Sequence, residues 1–261
     1  MSSRTPSRPL KSRWFVRALA GASWLPRGIV FLIFNPSLLP LVVLPAIIAG
    51  ILLVGGLVFG LWAAPMVEQR LVKGGPLPAW LEIPVGFLSF MATLSAAAAL
   101  GLGLALLLIA PILDQLSRRV ERIVRGATDD RGSGLAWEVK ESLRGAFYFL
   151  AAAPGIFLLA FIPIVGPALA VLWAGFALAF QFSDPPLTRR GLGFGQKRAW
   201  HRRYRPEAVG FGITGLFALL VPFADLLVAP ALAVGATLLV LHLEARDGEG
   251  EWRETHAKRY Q

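Results

Sequence analysis

Asp225 is the first candidate for chemistry, because it is the only formally charged residue inside the long apolar runs of this sequence. An ionisable side chain at the centre of a membrane helix costs about 2.5–3.5 kcal/mol, so it is normally paired, protonated or hydrated and has a function. The alternative is structural. Aspartate after the turn at Pro222 is well placed to accept a hydrogen bond from a free amide at the start of the next helix. The cap is the simpler of the two interpretations.

The segment Asn35-Pro36-Ser37 is the second candidate. Asparagine followed by proline is typical of an N-cap and first helical residue, which places the free amides of Ser37 to Leu39 at the positive end of a helix dipole. Such an end can hold an oxyanion. A helix start with no ligand is the simpler alternative here too.

Most other chemistry is excluded by what the sequence lacks. With no cysteine, disulfides, thiolate catalysis and cysteine-based metal sites are impossible. His201, His242 and His256 have no metal-binding spacing, and we expect them to be solvated or interfacial. Gly191, Gly193 and Gly195 follow no strand, so we expect a flexible loop. We predict no catalytic residues, no metal site and no cofactor.

The composition is that of a membrane protein. Hydrophobic residues make up 56% of the 261 and charged residues 16%, against roughly 45–50% and about 25% in ordinary globular domains. A soluble helix needs only one apolar stripe, so long runs without charge indicate lipid on the other side. The runs without Asp, Glu, Lys or Arg are 28–67, 83–113, 145–183, 208–224 and 226–243.

Two of the apolar segments are long enough to span a bilayer. Residues 38–67 and 83–113 each correspond to about 45 Å of helix, against a hydrocarbon core of about 30 Å. The Gly- and Pro-containing loop 68–82 is poor in Lys and Arg and is predicted to be external. Residues 114–144 are predicted to form a solvated helix, loop and helix on the cytoplasmic side, broken near Gly126.

Two other apolar segments are interrupted by proline turns. Residues 145–183 are broken around Pro163 and Gly166, and residues 208–243 around Pro222 and Asp225. Each arm has roughly 14–18 residues, or about 21–27 Å, which is short of the core. We therefore predict an all-α integral membrane protein with two long transmembrane helices and two re-entrant hairpins. Four further spanning helices are the alternative, and the charge distribution does not separate the two.

The net charge of +10 is concentrated next to apolar segments. Residues 1–27 carry six basic residues and no acid, and residues 184–207 carry seven basic residues against two acids. Cytoplasmic segments beside anionic lipid have this pattern, and no nucleic-acid-binding module accompanies the charge. We divide the chain into a basic cytoplasmic segment (1–27), a membrane domain (28–244) and a polar tail (245–261).

Four stretches between about residue 28 and residue 244 resemble the CysZ sulfate permease family, which is grouped with the etoposide-induced membrane proteins. They are Asn35-Pro36 with Val42-Val43-Leu44-Pro45, Ala110-Pro111-Ile112-Leu113-Asp114 with Val120-Glu121, Phe161-Ile162-Pro163-Ile164-Val165-Gly166 with Ser183-Asp184-Pro185-Pro186, and Gly210-Phe211-Gly212 through Val221-Pro222 to Gly235-Ala236-Thr237. The resemblance implies the two spans and two hairpins, a homo-oligomer in the inner membrane, and sulfate entry into the cytoplasm.

The family's anion site follows the position of Asn35-Pro36 with a Gly-Leu-Arg-Arg-like run, where this chain has Ser37-Leu38-Leu39-Pro40. The helix-start amides remain, but the guanidinium groups are missing, and Arg27 would replace them only if the chain folded back. The resemblance implies an inner-membrane channel or permease for a small inorganic anion, sulfate first. The alternative is a membrane scaffold that transports nothing and whose hairpins wedge one leaflet or bind a partner protein.

Overall fold

The computed structural model describes residues 10–71, 78–128, 134–159, 162–163, 165–221 and 225–247. Within these stretches every regular element is helical, so the predicted all-α class is confirmed. A 3₁₀ turn, Pro36–Leu38, joins the second helix to the third. The α-helices are α1 (Leu10–Ala22), α2 (Trp24–Phe34), α3 (Leu39–Leu71), α4 (Ala79–Arg125), α5 (Leu135–Leu159), α6 (Val165–Arg189), α7 (Phe194–Arg203), α8 (Arg205–Leu219) and α9 (Asp225–Asp247).

Six segments of the described chain are long and apolar enough to cross a bilayer. Large hydrophobic side chains are exposed along them, including Ile51 (65%), Leu107 (70%) and Leu150 (70%). Helices with this surface satisfy their own backbone hydrogen bonds and present mainly apolar side chains to their surroundings, so the chain is a multi-pass membrane protein. The segments are Trp14–Phe34, Pro36–Arg70, Trp80–Arg125, Lys140–Leu159, Val165–Arg189 and Leu227–Asp247.

The chain divides into two compact units. One consists of Pro40–Leu113, and the other combines Met1–Leu39 with Asp114–Gln261. The boundaries predicted from charge at residues 27 and 244 therefore fall inside helices α2 and α9. Residues of α1 and α2 fold together with the carboxyl-terminal half of the sequence, since α1 packs on α8 and α2 packs on α9.

Within the unit Pro40–Leu113, small residues bring α3 and α4 into close contact. A Cβ on Gly56 would lie 2.7 Å from the carbonyl oxygen of Ala97, and a Cβ on Gly101 would lie 2.4 Å from that of Leu52. Backbones of membrane helices approach this closely only where side chains are small. The Gly56-x-x-x-Gly60 spacing in the sequence thus marks a helix contact.

The other unit is built around α8 and α9. Helix α8 contacts α1, α6 and α9, and the buried side chains of α9 include Leu232, Val234 and Leu239. At the crossing of α6 and α8, a Cβ on Gly212 would lie only 1.7 Å from the carbonyl oxygen of Gly175. Only glycine fits at this position.

The substitution Gly212→Ala should therefore push α6 and α8 apart and lower the free energy of unfolding by at least about 1–3 kcal/mol, the usual cost of overpacking. Thermal unfolding of the purified protein in detergent measures the change. The control is Gly155→Ala in α5, where an added Cβ meets nothing within 4 Å, and its melting midpoint should be unchanged or slightly raised. Equal midpoints for both variants would contradict the packing described here.

Candidate functional site

The carboxyl-terminal part of α4 carries a polar stripe along one helical face. Asp114, Ser117, Glu121 and Arg125 follow one another at intervals of three or four residues, and Arg118 lies four residues after Asp114, which places them on one side of a helix. Ser117 is 1% exposed and Glu121 is fully buried. The prediction that this segment is simply solvated is wrong for these two side chains, which need partners inside the protein.

Glu121 is held by two arginines from the end of α6. Its Oε2 accepts a hydrogen bond of 3.0 Å from Arg189 Nη2, and its Oε1 accepts one of 2.8 Å from Arg190 Nη2. Both arginine side chains are 2% exposed. A buried carboxylate paired through each oxygen is satisfied, whereas an unpaired one would be strongly destabilising.

Arg189 continues the network towards both α4 and α9. Its Nη1 donates to Asp114 Oδ1 at 2.6 Å and its Nη2 donates to Ser117 Oγ at 2.8 Å. Ser117 Oγ lies 2.7 Å from Thr237 Oγ1 on α9. The buried Nε of Arg189 has no hydrogen-bond partner among the described residues. This N–H is therefore a hydrogen-bond donor that the described residues leave unsatisfied.

Arg190 extends the network along α9. Its Nη1 donates to the carbonyl of Pro186, and its Nε faces Glu244 Oε1 as an ion pair outside hydrogen-bond geometry. The other oxygen of Glu244 lies 3.0 Å from Arg125 Nη2 on α4. We call Asp114, Ser117, Arg118, Glu121, Arg125, Arg189, Arg190, Thr237 and Glu244 the buried ionic network; it holds three carboxylates and four guanidinium groups.

A C-cap at the end of α6 sets the backbone position of Arg189 and Arg190. Gly191 has a φ of 71°, and its amide donates to the carbonyl of Thr188 while the amide of Leu192 donates to that of Leu187. These two bonds form a Schellman motif with glycine in the left-handed position. The predicted glycine loop is therefore short and lies between the two helices, with Gly191 following α6 and Gly193 capping α7, while Gly195 belongs to α7 itself.

A second polar cluster lies where α6 meets α7. Lys197 Nζ, in a side chain 1% exposed, donates to Asp184 Oδ1 and to Thr188 Oγ1, both at 2.6 Å. His201 is also 1% exposed; its Nδ1 donates to the Lys197 carbonyl and its Nε2 lies 2.8 Å from Ser183 Oγ. The expectation that His201 is solvated or interfacial is therefore wrong, and burial lowers its pKa to about 4.

The sequence predicted Asn35 as the N-cap of a helix, but its side chain does not cap the turn that follows. Asn35 Nδ2 donates back to the carbonyl of Phe31 at 2.8 Å, and the Asn35 side chain does not cap the following turn. The amides of Leu38 and Leu39 donate to the carbonyls of Asn35 and Pro36. These two amides are therefore not free, and Leu38 itself is fully buried.

A guanidinium does lie at this turn, but it comes from α4. Arg119 Nη1 is 3.5 Å from the carbonyl oxygen of the exposed Ser37. Arg27 lies on α2 with its guanidinium stacked over the Trp24 ring, 4.5 Å from the ring centroid. Eight residues of helix separate Arg27 from Asn35, or about 12 Å along the axis.

The predicted hairpin tips are described only in part. Pro163 is exposed in a turn, and Gly166 is buried in the first turn of α6, where its amide donates to the carbonyl of Ile162. Pro222 lies outside the described residues. Asp225 is the first residue of α9, and its side chain is not among those that the structure describes, so both roles considered for it stay predictions.

Comparison with known proteins places this architecture in a family. The profile of the family described as sulfate transporter CysZ/etoposide-induced protein 2.4 matches residues 25–230. The sulfate transporter CysZ of Pseudomonas fluorescens strain Pf0-1 is 32% identical over 244 residues, which cover 84% of this chain and 92% of the relative. The chain belongs to this family.

Further CysZ relatives cover similar lengths. The sulfate transporter CysZ of Pseudomonas fluorescens strain SBW25 is 33% identical over 250 residues, or 85% of this chain and 91% of the relative. That of Vibrio parahaemolyticus serotype O3:K6 is 30% identical over 226 residues, or 80% of this chain and 89% of the relative. The CysZ family match includes the α4 and α6 residues of the buried ionic network, whereas Thr237 and Glu244 lie beyond it.

Reasoning from the sequence placed Arg189, Arg190 and Lys197 in a basic patch facing anionic lipid. In this CysZ family member all three are buried against carboxylates. The signal that pointed to them is the spacing of Asp114, Ser117 and Glu121, a polar stripe on a helix that continues a membrane span.

His201 makes the stability of the fold depend on pH. Because the folded-state pKa of about 4 lies below the ordinary value of 6.5, the unfolded chain binds more protons between these values. The free energy of unfolding should thus fall as the pH drops from about 6.5 to about 4, by up to about 3 kcal/mol.

Melting midpoints recorded from pH 7.5 to pH 4.5 test this dependence. His201→Asn keeps a donor for the Lys197 carbonyl and should show a shallower decline than the unsubstituted protein. His242→Asn, which removes an exposed histidine, is the matched control and should keep the original slope. Parallel curves for all three proteins would contradict the role of His201.

Proposed function

We propose that this protein is a permease that conducts sulfate across the inner membrane, as a channel or a transporter. The observation that carries the proposal is the extent of the likeness: relatives named sulfate transporter CysZ match 84% and 85% of the chain at 32% and 33% identity. Because the match runs through the helices that build the buried ionic network, it extends beyond one isolated motif.

Sulfate first meets the turn formed by Asn35, Ser37, Leu38 and Leu39, in which Ser37 and Leu39 are exposed. The guanidinium for the anion comes from Arg119, whose Nη1 already lies 3.5 Å from the Ser37 carbonyl. Arg119 has no carboxylate partner among the described residues, so its charge is available for an oxyanion. Arg27, the other arginine considered, lies about 12 Å from Asn35 along the axis of α2, so we assign it to the path by which the anion approaches rather than to the turn.

The buried ionic network provides the next cationic position. Arg189 keeps one buried N–H without a partner among the described residues, and arginine binds oxyanions through several N–H groups in one plane. A sulfate oxygen accepted there would replace a missing hydrogen bond and meet positive charge where water is scarce. The carboxylates of Asp114, Glu121 and Glu244 repel the anion and so limit the affinity of the network for sulfate. A weakly bound sulfate ion is released rather than trapped.

We also propose the arrangement in the membrane. Residues 28–244 form a membrane domain with two long spanning helices and two re-entrant hairpins, whose tips contain Pro163 and Gly166 in the first hairpin and Pro222 and Asp225 in the second. Helix α8 supports this topology, since its 15 residues extend about 22 Å, short of the core. The predicted arm length of roughly 14–18 residues is wrong for the other three arms, since α5, α6 and α9 have 25, 25 and 23 residues and are long enough to cross. The tips are sheltered within a homo-oligomer, and residues 1–27 and the tail 245–261 lie at the cytoplasmic face.

Removal of the Arg119 guanidinium should slow sulfate entry. In liposomes that contain the purified protein, Arg119→Ala should reduce the initial rate of radiolabelled sulfate uptake by about tenfold, because a charge-assisted contact to the anion is lost. Arg119→Lys should recover only part of the rate, since lysine cannot bind bidentately. Lys140→Ala, which removes an exposed cation of α5, is the charge-matched control and should transport normally.

Two results of this experiment would count against the proposal. Uptake by the unsubstituted protein at the level of empty liposomes would reject sulfate transport and favour a scaffold that transports nothing. Equal rates for Arg119→Ala and Lys140→Ala would reject the role of the turn while leaving transport intact.

The hairpin topology makes a separate prediction for chemical labelling. Single cysteines at Val165 and Val221, which are exposed at 53% and 55%, should resist an impermeant thiol reagent on the side opposite the basic segments. The control is a cysteine at Pro78, in the predicted external loop 68–82, which should react from that side. Fast labelling of both hairpin positions from the external side would show that all four arms cross the bilayer.

A further inference from the structure

A cavity of about 610 Å³ lies among α5, α6, α7 and α8, beside Trp14 of α1, within a single compact unit. One part of its wall is aliphatic and aromatic, with Leu172 and Trp173 of α6 facing residues of α5. The other part carries Arg198 and Arg202 of α7 and Arg205 at the start of α8. The cavity is thus amphipathic, with a cationic part and a hydrocarbon-like part.

The cationic part is not neutralised by the protein. The cavity lining contains no Asp or Glu, and within the described stretches none of these three arginines forms an ion pair with a carboxylate. Their neighbours differ, since Lys197 and Arg203 pair with Asp184 and Asp247, each at 2.6 Å. Arg198 is stacked over Tyr148, 5.1 Å from the ring centroid, and this contact leaves the guanidinium charged. Charge complementarity therefore calls for an anionic ligand.

The apolar part restricts the choice of anion. Leu159, Leu169 and Leu172 line the cavity, yet they remain 40%, 39% and 42% exposed. A small inorganic anion would leave this apolar surface uncovered, whereas an acyl chain would cover it and gain about 25 cal/mol for each Å² removed from water. A ligand that covers both the arginine-lined part and the apolar part must be an amphiphile with a negatively charged headgroup.

We propose that this cavity binds an anionic phospholipid of the surrounding bilayer. The headgroup phosphate lies between Arg202 and Arg205, with Arg198 beside it, and an acyl chain lies along Leu169 and Leu172. Basic pockets between membrane helices on the cytoplasmic side bind lipid headgroups in this way. A bound lipid would link α5 and α6 to α7 and α8, so it would hold the first hairpin against the carboxyl-terminal helices.

Native mass spectrometry of the full-length protein, released from detergent micelles, tests the proposal. We expect the protein to retain dioleoyl-phosphatidylglycerol at least about tenfold more strongly than dioleoyl-phosphatidylcholine, which has the same acyl chains but no net charge. The double variant Arg202→Gln/Arg205→Gln should lose this preference. The matched control, Arg122→Gln/Lys140→Gln, removes two exposed cations outside the cavity and should keep it.

A second variant separates a lipid from an inorganic ion. Leu172→Trp fills the apolar part and leaves the arginines in place, so it should weaken phosphatidylglycerol binding as much as the double arginine variant does. Unchanged lipid retention in either variant with an unaltered melting midpoint would overturn the proposal. Displacement of the lipid by millimolar sodium sulfate, with Leu172→Trp behaving like the unsubstituted protein, would also overturn it and assign the cavity to inorganic anions. Lipid retention is measured without a sulfate gradient, so this result is independent of sulfate transport.

Discussion

The fully buried carboxylate of Glu121 constrains the arrangement of three helices in this protein. A buried charge without partners is strongly destabilising, and the partners of Glu121 come from residues 68 and 69 positions later in the chain. The end of α6 must therefore stay against α4, and Arg190 in turn brings Glu244 of α9 into the same network. The Schellman motif at Gly191 serves this contact, because it sets the position of both arginines.

The network also determines which cations remain available to ligands. The formal net charge is +10, yet much of the basic charge near the ends of α4 and α6 is held by Asp114, Glu121 and Glu244. The described arginines that lack such carboxylate partners include the two groups proposed here as ligand sites. Arg119 lies at the turn that follows Asn35, and Arg198, Arg202 and Arg205 line the cavity of the α5–α8 helices. We propose a small oxyanion for the first and a lipid headgroup for the second, because the second combines three arginines and several partly exposed leucines in the lining of one cavity.

Much of the fold could be predicted from the sequence, because long runs without charge are a local signal. The all-helical class, the long helices α3 and α4 and the break at Gly126 follow from such runs and from one glycine, which has a φ of 76°. The pairing of charges could not be predicted in this way. Whether Arg189 faces lipid or a carboxylate depends on Asp114 and Glu121, 75 and 68 residues away, and nothing local distinguishes the two. His201 was expected at the surface because its partners could not be recognised from the sequence either. In the structure it is buried and contacts the Ser183 hydroxyl and the carbonyl of Lys197. Arg119 was missed as a guanidinium for the turn because it comes from another helix.

A double-mutant cycle between Glu121 and Arg190 tests the central claim most directly. Free energies of unfolding, measured in mixed detergent micelles for Glu121→Ala, Arg190→Ala and the double variant, give the coupling between the two side chains. Each single substitution should cost about 3–5 kcal/mol, and the double variant should cost less than the sum by more than about 1 kcal/mol. A parallel cycle between Glu121 and the exposed Arg122 should be additive. Additivity within about 0.5 kcal/mol for Glu121 and Arg190 would contradict the claim that this ion pair holds α4 and α6 together.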